Sequence, residues 1–189
     1  MSDGTIGNTP GAPKSAYFLS HADEAVERRT LAVLVDNEPG VLARVVGLFS
    51  GRGYNIDSLT VAEVDASQHR SRITIVTQGT PHILEQIEAQ LLRIVPVGEV
   101  IDITKSKRGI ERELALIKVA GTGEVRVEAL RIAEIFRARV IDTTNASFIF
   151  ELTGASDKIS QFIDLMRPLG LVEVSRTGVL SIKRGKEQG

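Results

Sequence analysis

From Arg29 onward the apolar positions recur at two spacings, and the two spacings alternate along the chain. Thr30–Asp36 (TLAVLVD) is a continuous apolar run of strand length. Pro39–Gly51 then places Val41, Leu42, Val45, Val46 and Phe49 at the intervals of an amphipathic helix. Pro39 suits the first helical turn, where its missing N–H costs nothing, and Gly51 or Gly53 suits the end. Asn55–Val64 and Arg72–Gln78 predict strands joined by a hairpin loop over Asp65–His69. Thr80–Pro81 predicts a helix start, with Ile83, Leu84, Ile87 and Leu91 as its buried stripe. Val95–Thr104 closes the set as a strand. The order is β-α-β-β-α-β, the ferredoxin-like arrangement.

The same order is then written again. Arg112–Val119 (RELALIKV) predicts a strand, Val125–Phe136 a helix, Arg139–Thr143 and Phe148–Leu152 strands, and Ser156–Met166 a helix. Leu171–Lys183 predicts a final strand or strand pair. The pattern implies an α+β chain of two consecutive ferredoxin-like βαββαβ domains, over 28–105 and 112–185, with a linker at 106–111. Residues 1–27 read as a flexible tail and 186–189 as a short second one. Each unit would carry both helices on one sheet face. Strand one is apolar at both parities (Leu31, Val33, Val35 and Ala32, Leu34), and RELALIKV is similar with Leu114, Leu116 and Ile117. Both sheet faces therefore need cover, which a companion domain or a second chain must supply, and a homodimer is expected.

Composition narrows the function by exclusion. The net charge of −1 gives no general attraction to nucleic acid or anionic lipid. RNA-recognition domains share this topology but stack bases on strand aromatics; Ser71–Gln78 has none, and aromatics are only 4% of the chain. The absence of cysteine removes disulfides and thiolate chemistry. No apolar run approaches the roughly 18 residues that span a bilayer, so a cytoplasmic protein is expected. His21, His69 and His82 show no metal-ligand spacing, and no nucleophile elbow or phosphate loop is present. No catalytic residue, metal site or cofactor site is expected in this chain.

One stretch carries the chemistry of a binding loop. Asp36-Asn37-Glu38-Pro39-Gly40-Val41-Leu42 joins strand one to helix one. The first N–H groups of a helix lack internal acceptors and lie at the positive end of its dipole, which favours a carboxylate. Gly40 has no Cβ to keep a ligand from the backbone, and Asn37 offers both an amide and a carbonyl. A free α-amino acid carries both charges on one carbon and suits such a loop. A plain helix start, with Pro-Gly opening the helix and Asn37 capping it, accounts for the same residues.

The loop resembles the ligand loop of ACT domains, modules that bind amino acids and regulate metabolic enzymes. A longer match is to the small regulatory subunits of acetolactate synthase. VLARVVGLFSGRGYNIDSLTV closely resembles a segment of that family, and SRITIV, LEQIEAQL, RELALIKV, EIFRA, VID and SRTGVLSIKRG continue it in order. The resemblance covers about Arg29 to Gly185.

The resemblance implies a non-catalytic dimer that binds and activates a large catalytic subunit and confers feedback inhibition, commonly by valine. Thiamine diphosphate, magnesium and FAD belong to that large subunit, which condenses two pyruvates to 2-acetolactate or pyruvate with 2-oxobutyrate. Residue by residue, Asn37, Gly40, Val41 and Leu42 match the family's ligand loop. Asn55 matches its second asparagine, which faces the ligand from across the dimer interface; as a residue read alone, Asn55 is adequately explained as part of a turn. The second unit lacks an N-x-P-G loop, so assembly and contact with the large subunit are expected of it. A stand-alone ACT-domain sensor acting on another partner is the competing expectation.

Overall fold

The structure, a computed structural model, describes residues 25–105 and 109–185. The expected tails fall outside the described residues over 1–24 and 186–189, as does 106–108 of the expected linker.

The first half runs β1 (Glu27–Asp36), α1 (Val41–Arg52), β2 (Ser58–Asp65), β3 (Arg70–Gly79), α2 (Pro81–Leu91) and β4 (Val97–Asp102). Its sheet has the order β2-β3-β1-β4, all neighbours antiparallel. β1 is central because it is the strand that is apolar at both parities. Leu31, Val33 and Val35 face the helices and join Val45, Phe49, Leu84, Ile87 and Leu91 in one buried cluster. Ala32 and Leu34 point to the other face, beside Ile101 and Ile103. Thr80 caps α2 with its side chain, and Pro81 opens the helix as expected.

The second half repeats the plan with β5 (Gly109–Ala120), α3 (Gly123–Phe136), β6 (Arg139–Thr143), β7 (Ser147–Gly154), α4 (Ser156–Met166) and β8 (Leu171–Arg176). The sheet order is β6-β7-β5-β8. Ala115, Ile117 and Val119 of β5 and Phe148, Phe150 and Leu152 of β7 meet Ile159, Phe162, Ile163 and Met166 of α4. Phe162 anchors this core: its ring stands edge-on to Phe150 at 5.9 Å and 5.3 Å from Phe136, the offset geometry that aromatic pairs prefer. The doubled βαββαβ order anticipated from periodicity is thus the observed α+β architecture.

Several boundaries differ, and the alternative left open at the end of the chain is resolved. Pro39 lies outside α1, which begins at Val41. The strand expected from Asn55 begins at Ser58, since Asn55 and Asp57 are engaged in a turn. Residues 109–111, expected as linker, are already strand, the first residues of β5. The last segment is a pair: β8 is followed by β9 (Leu180–Lys183), which pairs with Gly109–Arg112 of β5.

This last pairing decides how the halves meet. The β5–β9 ribbon extends beyond the second sheet and lies against the non-helical face of the first. Val179, 3% exposed, donates its N–H to Ser58 Oγ at 2.9 Å and accepts from Thr60 Oγ1 at 3.0 Å. Arg72 Nη2 donates to Ser181 O at 2.7 Å, and Arg28 pairs with Glu111 at 3.0 Å. The companion half therefore supplies part of the cover that the two-faced β1 requires. At the ribbon's root, Glu113 is buried and accepts from Arg176 Nε at 2.8 Å and Nη2 at 2.6 Å. Burial pushes the Glu113 carboxyl up, but the Arg176 bonds and charge, with Ser156 and the Gly178 N–H, outweigh it and hold the carboxyl below the usual range. Among the described residues, no helix is long and apolar enough to cross a membrane.

Candidate functional site

The β1–α1 connection is a tight turn built by its own sequence. Glu38, Pro39, Gly40 and Val41 form a type II turn: the Val41 N–H reaches Glu38 O at 3.3 Å, and Gly40 has φ 86° and ψ −2°. Pro39 sets the first central position of that turn, and Gly40 takes the left-handed second one that a side chain would strain. The proline thus serves the turn before the helix. The loop is pinned from both neighbours, since Asn37 N donates to His69 O at 2.7 Å and Asp36 N to Pro96 O at 2.9 Å.

Among the described residues, helix α1 differs from the other three α-helices at its start. α2 is capped by the Thr80 side chain; α3 and α4 carry Glu124 and Asp157 in their first turns. α1 has neither a side-chain cap nor an acidic residue in its first turn. Asn37 therefore does not cap it. Among the described residues, the Leu42 and Ala43 N–H groups meet no acceptor. The positive end of this helix faces outward with its donors unused, which favours an anion. Nothing lies within 4 Å of where a Gly40 Cβ would stand, so the approach is open.

The five sequence-derived residues do not form one cluster within the chain. Asn37, Gly40, Val41 and Leu42 gather at the start of α1. Val41 turns its side chain into the core, 7% exposed, and its N–H is taken by Glu38, whereas Leu42 is 39% exposed at the rim. Asn55 sits beyond the other end of the helix, after Gly53 closes it. Twelve helical residues rise roughly 18 Å, so the two asparagines lie at opposite ends of α1. Asn55 is exposed; its Nδ2 donates to Asp57 Oδ1 at 2.6 Å and its carbonyl accepts from Thr77 Oγ1 at 2.6 Å. Those bonds hold Asn55 at the entry to β2, the outer strand of the sheet. The equivalent loop of the second half, Gly121-Thr122-Gly123, leads into a helix with Glu124 in its first turn, which opposes a carboxylate there.

Two kinds of contact at this site had no signal in the sequence. His69 O and Pro96 O, which fix the loop, are backbone acceptors that any residue type would offer. Ser58 and Thr60, which hold the second half at the β2 edge, have their partner well over a hundred positions away.

Comparison with known proteins bears on both halves. Residues 31–99 match the family described as the AHAS small subunit-like ACT domain, and 112–185 that described as the small subunit of acetolactate synthase. The acetolactate synthase isozyme 3 small subunit of Escherichia coli is 45% identical over 159 residues, covering 84% of this chain and 96% of that protein. The acetolactate synthase small subunit of Haemophilus influenzae is 44% identical over 161 residues, covering 85% and 98%. The crystal structure of the acetolactate synthase small subunit from Thermotoga maritima superposes with a TM-score of 0.76 at 37% identity, covering 85% of this chain and 99% of that one.

Proposed function

This chain belongs to the acetolactate synthase small-subunit family, with an ACT domain in its first half, and from that membership we propose that it activates a catalytic partner and makes it sensitive to valine. The catalytic partner is the large subunit of acetolactate synthase. Thiamine diphosphate, magnesium and FAD reside there, and this chain works in the cytoplasm as a homodimer without cofactor or catalytic residue of its own. Residues 28–105 sense the effector, and 112–185 serve assembly and contact with the large subunit.

The observation that carries the effector reading is the start of α1. Among the four α-helices of the described residues it is the one with no side-chain cap and no first-turn carboxylate, behind a turn whose Gly40 leaves open space. The carboxylate of valine binds at the free amides there, Leu42 among them, beside Gly40 and the turned-in Val41. Its ammonium lies near Asn37 and near Asn55 of a second chain. Because one chain separates its own asparagines by the length of α1, only a second copy brings Asn55 to the Gly40 loop. Exposed Val61 and Val64 on the outer strand β2 support an edge that receives another chain.

The energetics suit a reversible signal. Charge-assisted hydrogen bonds of about 1.5–3 kcal/mol each hold the part common to all amino acids. Burying the branched side chain adds roughly 1.5–3 kcal/mol and separates valine from alanine. A site shared by two chains lets the ligand favour one dimer arrangement, and it inhibits to the extent that it binds that arrangement more tightly.

The test is acetolactate formation by the cognate large subunit, with and without this chain, across a valine titration. Stimulation that valine reverses is the expected result. Stimulation that valine leaves untouched would remove the effector and keep the activator. No stimulation by a folded pair would remove both.

A further inference from the structure

The two halves meet along the β5–β9 ribbon, and one short segment of it lands on the strand that leaves the proposed effector site. Val179 has both of its backbone polar groups taken by β2 side chains, its N–H by Ser58 Oγ at 2.9 Å and its carbonyl by Thr60 Oγ1 at 3.0 Å. Val179 itself is only 3% exposed. The contact is tight. Gly178 has φ +83°, and a Cβ there would stand 2.7 Å from Ser58 Oγ and 3.0 Å from Thr60 Cγ2. A side chain at Gly178 would force Ser58 or the loop to shift.

Each end of the contact is rooted in its own half. On the second-half side, Thr177 N donates to Leu114 O at 3.0 Å, and Glu113 accepts from the Gly178 N–H as well as from Arg176. β9 then pairs with the opening residues of β5, which continues as a central strand of the second sheet. On the first-half side, Ser58 opens β2 directly after the Asn55–Asp57 turn. Asn55 Nδ2 grips Asp57 Oδ1 at 2.6 Å, and Asp57 N is tied to Val76 O at 2.8 Å. A ligand that draws on Asn55 therefore draws on the residue next to Ser58.

We propose that this clip, Ser58 and Thr60 on β2 gripping Val179, is the element that passes the state of the effector site to the second half. The inference rests on the effector reading above and adds a route to it. Coupling between two sites requires an element whose contacts change with ligand state. Side-chain-to-backbone bonds meet that need, because they are directional and weaken steeply when donor and acceptor shift. A displacement of β2 at Ser58 is delivered through Val179 to β9 and so to β5, whereas the ribbon's other polar ties to the first half, Ser181 O to Arg72 and Glu111 to Arg28, go to β3 and β1.

The experiment uses the full chain assembled with its large subunit. Ser58→Ala/Thr60→Val removes both bonds and keeps volume on the β2 edge; Ser58→Ala alone is the milder companion should the double variant fail to fold by circular dichroism. Calorimetry should find valine binding within about twofold of wild type, and stimulation without valine should be unchanged. Inhibition by saturating valine should weaken at least threefold, and the valine-induced change in hydrogen exchange over Leu171–Lys183 should disappear. A merely structural role would leave that ligand-dependent change in place. Wild-type protein inhibited by valine, with the variant inhibited equally, overturns the clip and spares the effector site. Wild-type protein that does not bind valine overturns the effector site, and the clip's role falls with it.

Discussion

Gly40 and Gly178 both hold left-handed backbone, yet a side chain would meet opposite surroundings at the two positions. Around Gly40 the space is empty, while at Gly178 a Cβ would strike Ser58. A substitution at Gly40 thus costs only backbone strain, about 1–2 kcal/mol, which a domain of ordinary stability tolerates. Gly40→Asp should fold, place a negative charge beside the free amides of α1, and abolish valine inhibition while stimulation of the large subunit persists. Assays of the assembled pair decide this, and retained valine inhibition would sink the site. The loop was legible as a candidate because Asn-x-Pro-Gly before an apolar helix is a chemical statement in itself. Its finer geometry was not. A proline before a glycine fits a first helical turn or a type II turn equally well, and the choice depends on His69 and Pro96 holding the loop.

Elements were read well wherever one face is buried and the other wet. α4 spans Ser156–Met166, as expected from its buried stripe of Ile159, Phe162, Ile163 and Met166. β5 and β9 were harder, because their pairing joins residues roughly seventy positions apart and depends on a turn at Thr177–Val179. Glu113 and Arg176 stand at that junction. The Glu113 carboxyl is held below its usual range, so the pair's stabilisation is fully present above about pH 4.3, the unfolded value, and is lost as pH falls through the lower folded one. Arg176→Met would leave a buried carboxylate unpaired, at a cost of about 3 kcal/mol near neutral pH. Urea denaturation should show that loss at pH 7 and a much smaller one near pH 3. An equal loss at both values would mean that the ion pair contributes little beyond packing.

The whole molecule leaves one problem open to a second chain. The ribbon covers part of the first sheet's outer face, but on the corresponding face of the second sheet Leu116 is 37% exposed, and Leu180 and Ile182 on the ribbon are 57% and 59% exposed. With Val61 and Val64 on the β2 edge, these apolar residues favour self-association. Sedimentation at micromolar concentration should return twice the 20.5 kDa mass of the chain, and a monomer there would count against the shared effector site. The sequence by itself determined the alternation of elements, their doubling, the mixed α+β class and the loop with binding chemistry. Each of these is local: a hydrophobic period, a turn residue or a helix start lies within about a dozen positions. Only the tertiary structure decided that β9 crosses to the first half, that Ser58 and Thr60 hold Val179, and that Asn37 and Asn55 stand at opposite ends of α1. Such contacts join distant residues through backbone groups every residue possesses, so no residue type announces them.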